Sequence, residues 1–129
     1  MDKIIKSFLI ILVLMFFAIG CNKALRSPKD TVESYLESLV SQDVATAVSL
    51  SCKQWEAEAQ KEVESLLSVN ASLDGVYCQT DSESENNAIV SCQGKIKLTY
   101  ENEIQEINLS KRSYQLVFEN GEWLICQNK

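Results

Sequence analysis

The hydrophobic pattern of this 129-residue chain changes its period near Asn70, and that change constrains the fold more than any other feature. Before Asn70, apolar residues recur every three or four positions, which is typical of amphipathic helices. After Asn70, apolar and polar residues alternate, which is typical of strands with one covered face. Helices followed by a run of strands predict an α+β domain, in which N-terminal helices pack on a curved antiparallel sheet.

Three helices are predicted before the change of period. The first begins at Ser27, a capping residue followed by proline, and its apolar stripe continues to about Val40. A second, shorter helix is expected over 44–50. The segment 51–54 has the pattern of a capping box, which predicts that a third helix starts at Cys52. Its buried stripe is expected to contain Cys52, Trp55, Ala59, Val63, Leu66 and Leu67.

The second half of the chain predicts an antiparallel meander. Residues 76–80 are expected to form the first strand, 81–87 a polar loop and 88–100 a long strand. The chain turns at 101–103, and the apolar residues then change parity, which predicts a bulge or break at 110–113. Asn120 and Gly121 predict a tight hairpin before a last strand at 123–126.

The first 21 residues have the pattern of an export signal. Lys3 and Lys6 precede an apolar run over 8–19, which is shorter than the roughly 20 residues that a spanning helix needs. The segment 18–21 resembles the lipobox of bacterial lipoproteins. This resemblance implies that 1–20 are removed, that Cys21 is lipidated, and that 21–26 tether the domain to the outside of a cell membrane. The alternative is an ordinary signal peptide with an incidental cysteine.

The net charge of the chain is −6, and the predicted loss of 1–20 would remove two lysines and one aspartate. A domain this acidic, without a basic cluster, is a poor candidate for binding nucleic acid or anionic lipid headgroups. The predicted contact with the membrane is therefore the lipid on Cys21, since the charge opposes adsorption.

Four cysteines follow Cys21, an even number that predicts two disulfides in a small exported domain. Cys78 and Cys92 lie nearly opposite each other across the 81–87 loop, which favours pairing them and leaves Cys52 with Cys126. Pairing of Cys52 with Cys78 and of Cys92 with Cys126 stays open, because a one-residue slip in register would turn a side chain away. The chain has no histidine and no Cys-x-x-Cys motif, so no metal or cofactor is predicted.

Two short motifs resemble NTF2-like domains. The opening motif joins Ser27-Pro28, Val32, Tyr35-Leu36 and 41–43, where Gln42 stands at a place that is often glycine in the family. The closing motif is the hairpin at 118–125. The resemblance implies that 27–129 form one domain, in which helices and a curved sheet enclose a cone.

The fold leaves function open, because NTF2-like cones host isomerases, dehydratases, binding modules and assembly domains. No base, nucleophile or metal set is apparent, and Glu62 is interpreted as part of the solvated face of the third helix. We therefore expect a membrane-anchored domain that binds a small apolar ligand or a protein partner without catalysis. The alternative is an isomerase- or hydratase-like enzyme that uses the cone, and a carboxylate buried in the cone would favour it. The residues expected to line the pocket are Tyr35, Trp55, Tyr100, Tyr114 and Trp123.

Overall fold

The computed structural model describes residues 25–129, so the predicted signal at 1–20 and the predicted lipid site at Cys21 lie outside the described residues. Within 25–129, three helices come first, and five strands follow without another α-helix in that range. The α+β prediction is confirmed. The helices are α1 (Pro28–Val40), α2 (Val44–Ser49) and α3 (Glu56–Glu64). The strands are β1 (Asn70–Glu83), β2 (Asn87–Tyr100), β3 (Glu103–Asn108), β4 (Ser113–Glu119) and β5 (Glu122–Asn128).

Side chains cap the first two helices. The Ser27 hydroxyl accepts a hydrogen bond from the Asp30 amide at 3.3 Å, and Pro28 lies at the first helical position, as predicted. Asp43 caps α2 by accepting from the Thr46 amide at 3.0 Å. These caps satisfy amide groups that would otherwise lack partners at the helix ends.

The turn between α1 and α2 is held by Gln42. Its φ is +60°, in the left-handed region where glycine is favoured. Its side-chain amide donates to the carbonyl oxygens of Leu66 at 2.7 Å and Val69 at 3.2 Å. These bonds tie the turn to the segment that joins α3 to the sheet, which gives Gln42 a structural role.

The predicted start of the third helix at Cys52 is wrong. The helix begins at Glu56, and its N-cap Trp55 makes no side-chain capping bond. Ser51 instead forms a parallel bridge with Ile125, and the Cys52 amide donates to the Ile125 carbonyl at 2.8 Å. Pairing with the edge of the sheet engages the backbone at 51–52, so the capping box does not form.

The five strands form one antiparallel sheet in the order β1-β2-β4-β5, and β3 pairs with another part of β2. β1 is much longer than the predicted strand at 76–80, and it leaves only 84–86 as the turn into β2. The predicted break at 110–113 is a single 3₁₀ turn at Leu109–Lys111, slightly earlier in the chain. The hairpin at Asn120 and Gly121 has positive φ at both residues, as tight turns of this kind require.

The core lies between the helices and one face of the sheet. From α1 it receives the stripe of Val32, Tyr35, Leu36 and Leu39, all buried. From the sheet it receives Val90, Cys92, Ile96, Tyr114, Leu116 and Ile125. The alternation predicted for β2 therefore holds up to Ile96, which gives one buried face.

Two disulfides staple this core. Cys52 is bonded to Cys126, with 5.2 Å between their Cα atoms, and Cys78 is bonded to Cys92, with 4.0 Å. These are the pairs that the sequence analysis favoured over the alternative connectivity. Cys78 and Cys92 are direct partners in the β1–β2 register. Disulfides of this kind suit an extracytoplasmic domain.

Candidate functional site

Several polar side chains meet at the hydroxyl of Tyr35 on α1. The Tyr35 hydroxyl is buried and donates a hydrogen bond to Glu62 Oε2 at 2.8 Å. The indole N–H of Trp55 donates to the same hydroxyl at 3.3 Å. Tyr35 therefore links the residue that precedes α3 to a carboxylate on the helix itself.

Glu62 is the centre of this arrangement. Its side chain is 26% exposed. Its other oxygen, Oε1, accepts a hydrogen bond from the side-chain amide of Asn128 on β5 at 3.3 Å. Arg112, which follows the 3₁₀ turn, places its guanidinium 4.0 Å from the same oxygen. Helix α3 and the ends of two strands thus meet at one carboxylate on the rim of the core.

Tyr114 on β4 completes the group. Its hydroxyl is fully buried and has no hydrogen-bond partner among the described residues. Burial raises the pKa of Tyr114 to about 12, and the negative charge of Glu62 adds to the rise while Arg112 opposes it. We call the set Tyr35, Trp55, Glu62, Arg112, Tyr114 and Asn128 the Glu62 cluster.

Both tyrosines of the Glu62 cluster are kept neutral. Burial raises the pKa of Tyr35, and the charge of Glu62 and the hydrogen bond to it act in the same direction. Two neutral phenols beside a carboxylate can donate hydrogen bonds but cannot serve as bases near neutral pH. The chemistry available is therefore hydrogen-bond donation from Tyr114 and the orientation of Glu62 by Tyr35 and Asn128.

The structure brings three of the five predicted pocket residues together: Tyr35, Trp55 and Tyr114 belong to the Glu62 cluster. Trp123 lies elsewhere, on β5, where its ring packs against Phe118 with 5.2 Å between centroids. The structure does not bring Tyr100 to the Glu62 cluster. Tyr100 is 56% exposed and is the last residue of β2, before the turn into β3.

A separate groove of about 520 Å³ lies where residues 52–54 approach strands β2, β4 and β5. None of the five predicted pocket residues lines it. Its walls carry the Cys52–Cys126 disulfide and the apolar side chains of Ile89 and Val117. Most of its polar groups are uncharged carboxamides, from Gln54, Asn87, Gln115 and Gln127.

Sequence reasoning missed Glu62, Arg112 and Asn128. Glu62 directly precedes Val63 and follows Ala59 by three positions, so it lies at the border of the apolar stripe of α3. That border position was the available signal. Arg112 and Asn128 gave none, because their contacts with Glu62 span 50 and 66 residues of sequence.

In the part of the chain that the structure describes, no group of histidine, cysteine, aspartate or glutamate side chains is arranged to hold a metal ion. No helix among residues 25–129 is long and apolar enough to cross a membrane.

Neither a protein-family model nor a curated protein matches the sequence. Solved structures do match the fold. A SEC-C motif containing protein from Rhodopseudomonas palustris superposes with a TM-score of 0.56 at 12% identity, over 81% of this chain and 78% of that one. A five-substitution variant named Rd1NTF2_05 superposes with a TM-score of 0.51 at 12% identity, over 76% of this chain and 90% of that one. The fold is NTF2-like.

This chain also matches part of a larger protein. The helical cell shape determining protein Pgp2 from Campylobacter jejuni superposes with a TM-score of 0.52 at 8% identity, over 78% of this chain. The match spans only 38% of that protein's chain. At these identities the similarities show the NTF2-like fold alone, since one fold hosts many functions.

Proposed function

We propose that this protein is a lipid-anchored, extracytoplasmic NTF2-like domain that binds a partner rather than catalysing a reaction. The observation that carries the proposal is the filling of the cone. Tyr35, Tyr114 and Trp123, which were expected to line a cavity, are buried among apolar side chains. Because these three side chains occupy the positions at which a ligand was expected, we infer that a partner binds at the surface of the domain.

The anchoring part of the proposal rests on the sequence and is supported by the two disulfides. The lipobox-like segment ends at Cys21, and α1 begins at Pro28, so only a short tether would separate the lipid from the first helix. Disulfides form and persist outside the cytoplasm. A lipid on Cys21 would hold an acidic domain at a membrane that its charge would otherwise avoid.

Intact-mass measurement of the full chain extracted from membranes tests the anchor. The expected mass is that of a chain beginning at Cys21 with added acyl groups. The Cys21→Ser variant should move to the soluble fraction, whereas Asn22→Ser, the matched change at the next residue, should remain in the membrane fraction. A Cys21→Ser variant that stays membrane-bound as fully as the wild type would refute the anchor.

Native mass spectrometry of the same preparation tests the filled interior. The expected spectrum shows the acylated chain without a further small molecule. An apolar compound retained at one copy per chain would mean that the cone holds a ligand, and it would replace surface binding with an interior site.

One observation favours the enzyme alternative. The unpartnered hydroxyl of Tyr114 lies in the Glu62 cluster, and a buried donor of this kind could stabilise an oxyanion in an isomerase-like reaction. Substituted phenols are suitable probes, because their phenolate oxygen mimics an enolate. Saturable binding that is lost in Tyr114→Phe would support an enzyme, and the absence of such binding would remove the support that Tyr114 gives it.

A further inference from the structure

Three of the largest exposed apolar side chains lie at one end of the molecule. Leu67 is 56% exposed, Tyr100 is 56% exposed and Ile104 is 65% exposed. The strand register pairs Thr99 with Asn70 on one side and with Ile104 on the other, and it pairs Tyr100 with Glu103. Ile104 and Tyr100 therefore lie on opposite faces of the hairpin formed by β2 and β3. Leu67 lies three residues before Asn70, so the same end of the sheet exposes apolar side chains on both of its faces.

Carboxylates lie close in sequence to these apolar side chains. Glu101 and Glu103 flank the β2–β3 turn, Glu64 ends α3, and all three are exposed. None of them forms an ion pair with the residues that the structure describes. We call the set Leu67, Tyr100, Ile104, Glu64, Glu101 and Glu103 the hairpin patch.

The lysines on β2 do not offset the charge of the hairpin patch. Lys95 pairs with Glu106 at 2.8 Å, and Lys97 pairs with Asp74 at 3.1 Å. These ion pairs lie across the strands and use both positive charges locally. The hairpin patch therefore combines exposed apolar side chains on the two faces of the hairpin with negative charge that these lysines do not pair with.

Strand β3 gives this end of the molecule an open edge. Among the described strands β3 pairs only with β2, and β4 joins β2 further along, at 87–91. The amide and carbonyl groups on the other side of β3 are thus available to an added strand. Ile104 lies on this edge strand, so an added strand would place every second side chain on the face of Ile104 and the others on the face of Tyr100 and Glu103.

We propose that the hairpin patch is the docking surface for an extended, basic segment of a partner protein, which adds to β3 as a further strand. Main-chain hydrogen bonds to β3 would supply affinity, and alternating lysine or arginine and apolar residues would match Glu101, Glu103 and Ile104. The charge complementarity selects a basic partner. It disfavours a second copy of this chain, because two such edges would bring the same carboxylates together.

This inference deepens the proposed function, since it names the surface and the chemistry of the partner. Glu33 on α1 accepts from the Cys78 amide, whereas Gln42, just after α1, contacts Leu66 and Val69. The end of α1 therefore lies near the hairpin patch, and the start of this 13-residue helix is about 20 Å away at 1.5 Å per residue. The patch would face away from a membrane that holds the other end.

The experiment uses the full chain in detergent and a labelled peptide in which lysine alternates with valine. Fluorescence anisotropy should show saturable binding, and hydrogen–deuterium exchange should slow at the amides of β3. A matched peptide with glutamate in place of lysine should not bind. The double variant Glu101→Lys and Glu103→Lys should weaken binding of the lysine peptide at least about tenfold, as expected for the loss of two favourable charge contacts at one site.

The control is Glu83→Lys with Glu85→Lys, which makes the same charge change at the β1–β2 turn, and it should leave binding within about twofold. Equal weakening by both double variants would overturn the proposal, since binding would then follow net charge alone. The absence of peptide binding, or slowed exchange away from β3, would overturn it as well. The soluble Cys21→Ser variant should bind equally well, so failure of the anchor and failure of the docking surface give different results.

Discussion

Tyr35 and Tyr114 show how two buried residues of one kind differ in what they contribute. The Tyr35 hydroxyl donates a hydrogen bond to Glu62 and accepts one from Trp55, so it acts both as a donor and as an acceptor. The Tyr114 hydroxyl is equally buried and has no partner among the described residues. A buried polar group without a partner costs free energy that a bonded group recovers. The two hydroxyls should therefore have opposite effects on stability.

Removing each hydroxyl tests this difference. Tyr35→Phe should lower the free energy of unfolding by about 1–2 kcal/mol, because Trp55 and Glu62 both lose a partner. Tyr114→Phe should leave the free energy of unfolding within about 0.5 kcal/mol of the wild-type value or raise it, because no hydrogen bond is lost. Urea unfolding followed by tryptophan fluorescence measures both. A large loss in Tyr114→Phe would show that its hydroxyl has a partner, such as a bound water or ligand.

The same tyrosines predict a loss of stability at alkaline pH. Both have a pKa in the folded state above the ordinary value of 10.0, and that of Tyr114 is about 12. Below pH 10 both states keep the proton, so the stabilisation is complete. As the pH rises from 10, the unfolded chain ionises first, and stability falls by about 1.4 kcal/mol per pH unit for each tyrosine until the folded pKa is reached.

Unfolding curves between pH 9 and 12 measure this dependence. The slope should become shallower in Tyr114→Phe, which removes one of the two groups. Tyr77→Phe, which removes an exposed hydroxyl, is the matched control and should keep the wild-type slope. A slope unchanged by Tyr114→Phe would contradict the raised pKa of that residue.

At the scale of elements, the pairing of β1 with β2 depends on a close approach between the backbones at Gly75 and Gly94. The register shifts between Asp74 and Tyr77, and both Gly75 and Gly94 have positive φ there. A β carbon on Gly94 would lie 2.6 Å from the carbonyl carbon of Gly75. The irregular pairing thus requires glycine at 94 for space as well as for conformation.

Two glycine variants separate space from conformation. Gly94→Ala should lower the free energy of unfolding by about 3 kcal/mol or more, because the backbone of β1 must move. Gly121→Ala should cost about 1 kcal/mol, because its φ of +79° is strained for alanine but nothing lies within 4 Å. Thermal unfolding compares them. Equal losses would show that the conformational strain alone decides both.

At the scale of the whole molecule, the two disulfides close loops of very different length. Cys52 and Cys126 are 74 residues apart, and their bond ties the segment before α3 to the last strand. Cys78 and Cys92 are 14 residues apart and join neighbouring strands that already pair. In the chain-entropy model, the longer loop restricts the unfolded chain more.

Paired alanine variants test the consequence. Removing Cys52 and Cys126 together should cost about 4 kcal/mol, and removing Cys78 and Cys92 together about 3 kcal/mol. Urea unfolding gives the two losses, and peptide mapping without reductant checks the connectivity of the wild type. A larger loss for the Cys78–Cys92 pair would show that contacts within the β1–β2 ribbon outweigh loop entropy.

Much of the architecture followed from the sequence alone, because it depends on local pattern. The change of period near Asn70 predicted the helix and strand halves, and the caps at Ser27 and Asp43 involve residues within three positions of each other. Asn120-Gly121 specified its hairpin for the same reason. The favoured pairing of Cys78 with Cys92 came from a short-range argument about neighbouring strands, and the pairing of Cys52 with Cys126 came from elimination, with the other connectivity left open.

Only the tertiary structure decided the contacts between distant segments. The capping box at 51–54 failed because Ser51 pairs with Ile125, 74 residues away. Glu62 was assigned to the solvated face of α3, but it contacts Tyr35, Arg112 and Asn128, which are 27, 50 and 66 residues away in the sequence. Tyr100 is 56% exposed although it continues the alternation of β2, and it is the last residue of that strand. Periodicity assigns a side chain to a face, but the length and curvature of the packed elements determine what that face meets.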